Sequence, residues 1–159
     1  MRAMSDAGVS IEPPATLEFD DLVEGTESSF ATIASAAAID RFAELSGDNS
    51  PLHVSEGFAL ARGFRGRVVH GAYLAALVSR LVGTRLPGAN AILHQMQLSF
   101  HATTHVGDAL TVTGRVERKL DPLRAIILSV GIAVIEPDRE PRRVASGKVQ
   151  VGFTASGST

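Results

Sequence analysis

The run Gly71-Ala72-Tyr73-Leu74-Ala75-Ala76-Leu77-Val78-Ser79-Arg80-Leu81-Val82 leaves almost no polar face when it is wound as a helix. A helix that is apolar nearly all round belongs in an interior. Leu86-Pro87-Gly88 stops it, and from there the hydrophobic period changes to two. Met96, Leu98 and Phe100 alternate with Gln95, Gln97, Ser99 and His101, as in a half-buried strand. Val106-Gly107-Asp108 makes a turn. Ala109 to Val116, Arg124 to Val134 and Arg142 to Phe153 read as three further strands, parted by Asp121-Pro122 and Glu136-Pro137-Asp138. One buried helix followed by consecutive strands argues against a parallel α/β sheet, whose helices alternate with strands. The expected class is α+β, an antiparallel sheet that gains an early strand and curls around the helix. Such a sheet covers only part of so apolar a helix. A second copy pairing edge to edge, giving a homodimer or higher homo-oligomer, is therefore expected.

The chain of 159 residues is about one domain's worth and can bury a real core. Residues 1–15, with Pro13-Pro14 and no clear period, read as a flexible arm, 16–154 as a single domain and 155–159 as a flexible tail. A formal net charge of −2 gives no electrostatic case for nucleic acid, and a chain with no Trp and one Tyr is poorly equipped to stack bases. The lack of Cys excludes disulfide and thiolate chemistry and suits a reducing compartment. Met1-Arg2-Ala3-Met4-Ser5-Asp6 lacks the apolar stretch of a secretory signal. The most apolar run, Val68 to Val82, is shorter than the ~20 residues that span a bilayer, and Arg80 interrupts it. The expectation is a cytoplasmic protein with no membrane contact.

Upstream, Phe30 to Ile33 reads as a short strand. Ser35 caps a helix over Ala36 to Leu45 that puts Ile39, Phe42 and Ala43 on one face, and Gly47 ends it. The segment Ser46-Gly47-Asp48-Asn49-Ser50-Pro51-Leu52-His53 follows. Its proline breaks the helix, so Asp48 and His53 are expected on a rigid, non-helical excursion where both could address one water molecule. A carboxylate beside an imidazole fixes its tautomer and raises its basicity, as general-base chemistry requires. A local reading stands beside this one: an Asp after a helix closes an Asx-turn and the His is a surface residue. The spacing taken alone favours that reading. Ser55 caps a helical turn through Phe58 and Ala61, and Gly63 and Gly66 bracket a loop with Arg62, Arg65 and Arg67.

His70-Gly71 is the second candidate. Gly71 opens the buried helix, where backbone N–H groups have no intrahelical partner and could stabilise an oxyanion such as a polarised thioester carbonyl. Alternatively, Gly71 only eases a loop-to-helix turn. Ser79 either bonds the carbonyl one turn back, as most helical serines do, or faces a pocket. Other motifs fail. There is no G-x-S-x-G elbow, Gly147-Lys148 lacks the glycine pattern of a P-loop, and His101 and His105 have no further ligands for a metal, so they read as solvated histidines.

With these residues quoted, the chain resembles the MaoC-like hydratases, also called R-specific enoyl-CoA hydratases. Ser46 to His53 resembles their S-G-D-x-N-P-[LIV]-H signature, and Val68-Val69-His70-Gly71 their I-V-H-G segment. Leu74-Ala75, Leu77 and Ser79, then Leu86-Pro87-Gly88, Gln97-Leu98-Ser99-Phe100 and Val106-Gly107-Asp108 follow the same pattern, without gaps from about Phe42 to Val112. The resemblance implies a hot-dog fold, a long central helix wrapped by an antiparallel sheet. It also implies hydration of trans-2-enoyl-CoA to R-3-hydroxyacyl-CoA, or the reverse dehydration, with no cofactor or metal. By that resemblance Asp48 and His53 hold and activate water, Gly71 donates its N–H to the thioester oxygen, and Ser79 lines the pocket. Arg62, Arg65 and Arg67 could meet CoA phosphates, or form a solvated basic loop. The substrate would be an acyl-CoA or an acyl carrier protein thioester.

Three positions depart from the family pattern. Its Asn is Ser50 here, with one hydroxyl in place of an amide's separate donor and acceptor. Its usual Met after His-Gly is Ala72, followed by Tyr73, and Arg80 follows Ser79 where a small residue is common. Two rival functions fit the same residues: a hot-dog acyl-CoA thioesterase, in which the water attacks the thioester carbonyl, and a non-catalytic acyl-thioester-binding subunit.

Overall fold

Alternation builds the sheet. In β3 (Ala109–Leu120), Leu110, Val112, Gly114 and Val116 are buried, while Thr111, Thr113 and Arg115 lie on the other face. In β4 (Ala125–Val134), Ile126, Leu128, Val130, Ile132 and Val134 are buried. With β1 (Glu27–Ile33), β2 (Ala91–Phe100) and β5 (Arg142–Phe153) these form one five-stranded sheet in the order β1-β3-β4-β5-β2. Every neighbouring pair is antiparallel. Glycine sets the closest approach between strands: a Cβ on Gly147 of β5 would lie 1.9 Å from the Gln97 carbonyl oxygen of β2. The computed structural model describes residues 12–154. The expected tail at 155–159 and residues 1–11 of the expected arm lie outside the described residues. Ala15, near the arm's end, exchanges backbone hydrogen bonds with Thr84 and Ala89.

Between β1 and β2 the chain forms α1 (Ala36–Ser46), α2 (Pro51–Val54), α3 (Glu56–Ala61) and α4 (Gly71–Thr84). Leu74, Leu77, Val78, Leu81 and Val82 of α4 join Phe30, Leu110, Val112, Leu128, Ile132, Val149 and Val151 of the strands in a single core. The sheet thus wraps one helix, which is the hot-dog arrangement in the α+β class. Among the described residues no helix is long and apolar enough to cross a membrane.

As expected, the sheet covers only part of α4: Ala72, Ala76, Ser79, Arg80 and Gly83 are exposed. Three expectations need correction. β1 starts at Glu27 rather than Phe30, because antiparallel pairing with β3 carries its polar first half. Phe100 was expected on the buried face of its strand, yet it is 52% exposed at the end of edge strand β2. Finally, Pro51 does not leave His53 on a non-helical excursion. It opens the one-turn helix α2 at the first position, where a missing N–H costs nothing, and His53 sits within that turn.

Candidate active site

α1 delivers the acid. Ser35 Oγ accepts from the Ala38 N–H at 3.2 Å and starts the helix, while Gly47 ends it in the left-handed region at φ 75°. Asp48 is therefore thrown clear of the last turn. Its Oδ1 accepts from the Ser50 N–H at 3.3 Å, so the Asx-turn of the local reading exists. Its other oxygen, Oδ2, stands 4.0 Å from His53 Nε2. The Asx-turn thus engages one carboxylate oxygen and leaves the other facing His53.

His53 is not a surface residue; its side chain is 15% exposed. Its Nδ1 lies 2.7 Å from the Val68 carbonyl oxygen, which can only accept, so Nδ1 carries a proton and Nε2 faces Asp48. His70 is fully buried behind it. The two imidazoles stack with centroids 3.8 Å apart, Phe42 packs edge-on to His70, and His70 Nε2 donates to the Asp48 carbonyl oxygen at 2.9 Å. His70 Nδ1 is buried without a partner among the described residues. Asp48, His53 and His70 each place one ligating atom within 4.8 Å of the other two. Stacked rings, however, direct their lone pairs along near-parallel planes rather than to one point, and His70 Nε2 is already engaged. The trio fits a tetrahedral cage poorly.

The start of α4 follows directly. Tyr73 and Leu74 N–H both bond the His70 carbonyl, whereas the Gly71 N–H has no acceptor among the described residues. The Phe100 ring lies against Gly71, 3.3 Å from where a Cβ would be. Burial pushes the Tyr73 phenol above its ordinary pKa, with Arg80 opposing, so it stays neutral near pH 7.

The other candidates are placed less centrally. Ser50 is exposed at the start of α2, and its side chain caps nothing. Ser79 lies on the uncovered face of α4, two turns beyond Gly71 or about 12 Å along the axis, and is not brought to Asp48 and His53 within this chain. Arg62 stacks over Phe58 at 4.8 Å, and Arg65 pairs with Asp108. Arg67 turns inward: its Nε donates to the His53 carbonyl at 2.6 Å and its Nη2 to Asp40. A solvated basic loop therefore does not describe Arg67. His101 is exposed and bonds Ser146, but His105 is buried with both ring nitrogens unpartnered among the described residues, which corrects the solvated reading. Nothing in local sequence announced the inward Arg67 or its partner Asp40, since 27 positions separate them.

The MaoC like domain family matches residues 12–131. This chain belongs to the MaoC-like family. An (R)-specific enoyl-CoA hydratase of Rhodospirillum rubrum is 40% identical over 123 residues, covering 74% of this chain and 85% of that protein. A 3-hydroxybutyryl-CoA dehydratase of Methylorubrum extorquens is 37% identical over 123 residues, covering 75% of this chain and 78% of that protein. The solved (R)-hydratase of A. caviae superposes with a TM-score of 0.78 at 30% identity, covering 84% of this chain and 98% of that one. In this MaoC-like chain the matched span holds Asp48, His53, His70 and Gly71 together.

Proposed function

We propose that this protein adds water reversibly to a trans-2-enoyl-CoA, giving the R-3-hydroxyacyl-CoA, with Asp48 and His53 as the catalytic pair. The observation that carries the reading is the 4.0 Å separation of Asp48 Oδ2 and His53 Nε2, with the His53 tautomer set by Val68. A water about 2.8 Å from both atoms donates one hydrogen to each and leaves its oxygen lone pair free to attack. The C3–O bond forms as the C2=C3 π bond breaks, and negative charge moves to the thioester oxygen. The free Gly71 N–H at the positive end of α4 is suited to that oxygen, and such a donor is worth ~2.7–4 kcal/mol. The proton taken from water passes to C2. Hydration leaves the overall oxidation state unchanged, so no redox partner enters.

The chain is further proposed to act as a homodimer or higher homo-oligomer in the cytoplasm. The bare face of α4 and the free edge of β2, with Ile92, Leu93 and Phe100 exposed, support pairing with a second copy. A pocket lined by Ser79 would then run along that seam. Ser50 and His70 position the water and its activators, and Arg62 is the arginine of its loop best placed to meet a CoA phosphate.

A crotonyl-CoA assay tests the reading. Loss of enoyl absorbance without free thiol, giving the R product, is expected. Free CoA would instead establish thioester cleavage, and binding without either change would establish an acyl-thioester-binding subunit.

A further inference from the structure

The Asp48–His53 spacing depends on how α2 is held against α1, because Asp48 hangs from the end of α1 and His53 rides on α2. α2 is a single turn and has little stability of its own. The segment after the Gly63–Gly66 loop clasps it. Val68 N–H donates to the Leu52 carbonyl at 3.0 Å, Val68 O receives His53 Nδ1–H, and Arg67 Nε donates to the His53 carbonyl, which the end of α2 leaves without a helical partner. The same guanidinium reaches Asp40 on α1, and its side chain is only 13% exposed.

We propose that Arg67 is a positioning residue whose planar fork ties the backbone of His53 to Asp40 and so fixes the His53 imidazole relative to Asp48. This rests on the hydration reading given above. A Lys could not substitute, because one ammonium lacks the two-sided fork that serves a carbonyl and a carboxylate together. Asp40 is 55% exposed and, without Arg67, would be solvated by water.

The test is Arg67→Met, with Arg67→Lys and Asp40→Asn beside it, each assayed on crotonyl-CoA. Arg67→Met is expected to lower kcat by about 100-fold, the scale of a 1 Å misplacement, with KM within about threefold and the thermal midpoint retained. Arg67→Lys should fail similarly, and Asp40→Asn should lose about tenfold. Millimolar guanidinium ion should restore part of the turnover of Arg67→Ala. A kcat within twofold of the parent in folded Arg67→Met overturns the proposal, as does a raised KM at unchanged kcat, which would make Arg67 a substrate contact. Should Arg67→Met not fold, parental kcat in both other variants overturns it. The His53 Nδ1–H resonance gives a substrate-free readout that holds even if hydration itself fails: it should exchange about tenfold faster with water in Arg67→Met, and an unchanged resonance overturns the proposal.

Discussion

The imidazole of His70 lies stacked on that of His53, with ring centroids 3.8 Å apart and planes 26° from parallel. The same buried ring donates to the Asp48 carbonyl. One side chain thus touches the backbone of the proposed acid and the face of the proposed base. His70→Phe keeps the stack and removes both the donor and the unpartnered Nδ1. The lost hydrogen bond costs about 1 kcal/mol, and removal of the orphaned nitrogen offsets it. The thermal midpoint should stay near the parent's while kcat falls about tenfold as Asp48 loosens. Parental turnover in this variant would show that the tether to Asp48 does not matter.

The acid and the base are each expected to be indispensable. Asp48→Asn and His53→Gln should each lower kcat by about 10²- to 10⁴-fold, the usual range for a general acid–base group. Asp48 is half exposed, so its replacement should leave the fold and the binding of a saturated acyl-CoA intact. Steady-state kinetics paired with calorimetric titration separates the two effects. Retention of more than a tenth of parental kcat in both variants would remove the pair from the chemistry.

How much of this was legible depended on distance along the chain. Ser35, Gly47 and the apolar face of Gly71–Val82 carry local signals, so α1 and α4 could be placed from periodicity and caps. The period-two run from Ala109 to Phe153 gave the antiparallel sheet for the same reason. Asp48 and His53 are near neighbours, and their motif was legible. Their actual relation was not, because His53 is oriented by Val68 and Arg67, 15 and 14 positions away. Pro51 reads in sequence as a breaker, although the same residue is well suited to begin a helix. Ser79 shares the periodicity of α4 but falls on the face that the sheet leaves bare, a fact that only tertiary packing decides.

Gly71 offers a sharper probe of the oxyanion assignment than deletion of a side chain. A methyl there would sit 3.3 Å from the edge of the Phe100 ring. Phe100 is half exposed and can give by a few tenths of an ångström, so Gly71→Ala should fold with little loss of stability. The methyl would crowd the approach to the free Gly71 N–H. Turnover on crotonyl-CoA is expected to drop by about 10²- to 10³-fold, the cost of one oxyanion donor. Gly71→Ala combined with Phe100→Ala relieves the crowding on the protein side. If the double variant recovers full activity, the Phe100 contact matters and the amide does not.

His105 is expected to set an acid limit on the fold. It is buried, neither ring nitrogen has a partner among the described residues, and its main chain bridges to Val68, whose carbonyl orients His53. Burial first, then the nearby Arg65 guanidinium, hold its pKa below the ordinary value, with Asp108 opposing and Arg142 adding to the effect. The folded state therefore binds a proton at His105 less readily than the unfolded chain, whose His titrates near pH 6.5. Above that pH both states are neutral and the titration contributes nothing to the pH dependence. As pH falls below about 6.5 the unfolded chain gains the proton first, and stability declines until the folded-state value is passed. His105→Phe removes the titration and the two orphaned nitrogens, and it keeps a ring beside Phe64. The variant should lose less of its thermal midpoint than the parent between pH 7.5 and 5, and should be at least as stable at pH 7.5. Scanning calorimetry across that interval decides the matter: parallel curves for the two proteins would mean that the acid sensitivity originates elsewhere.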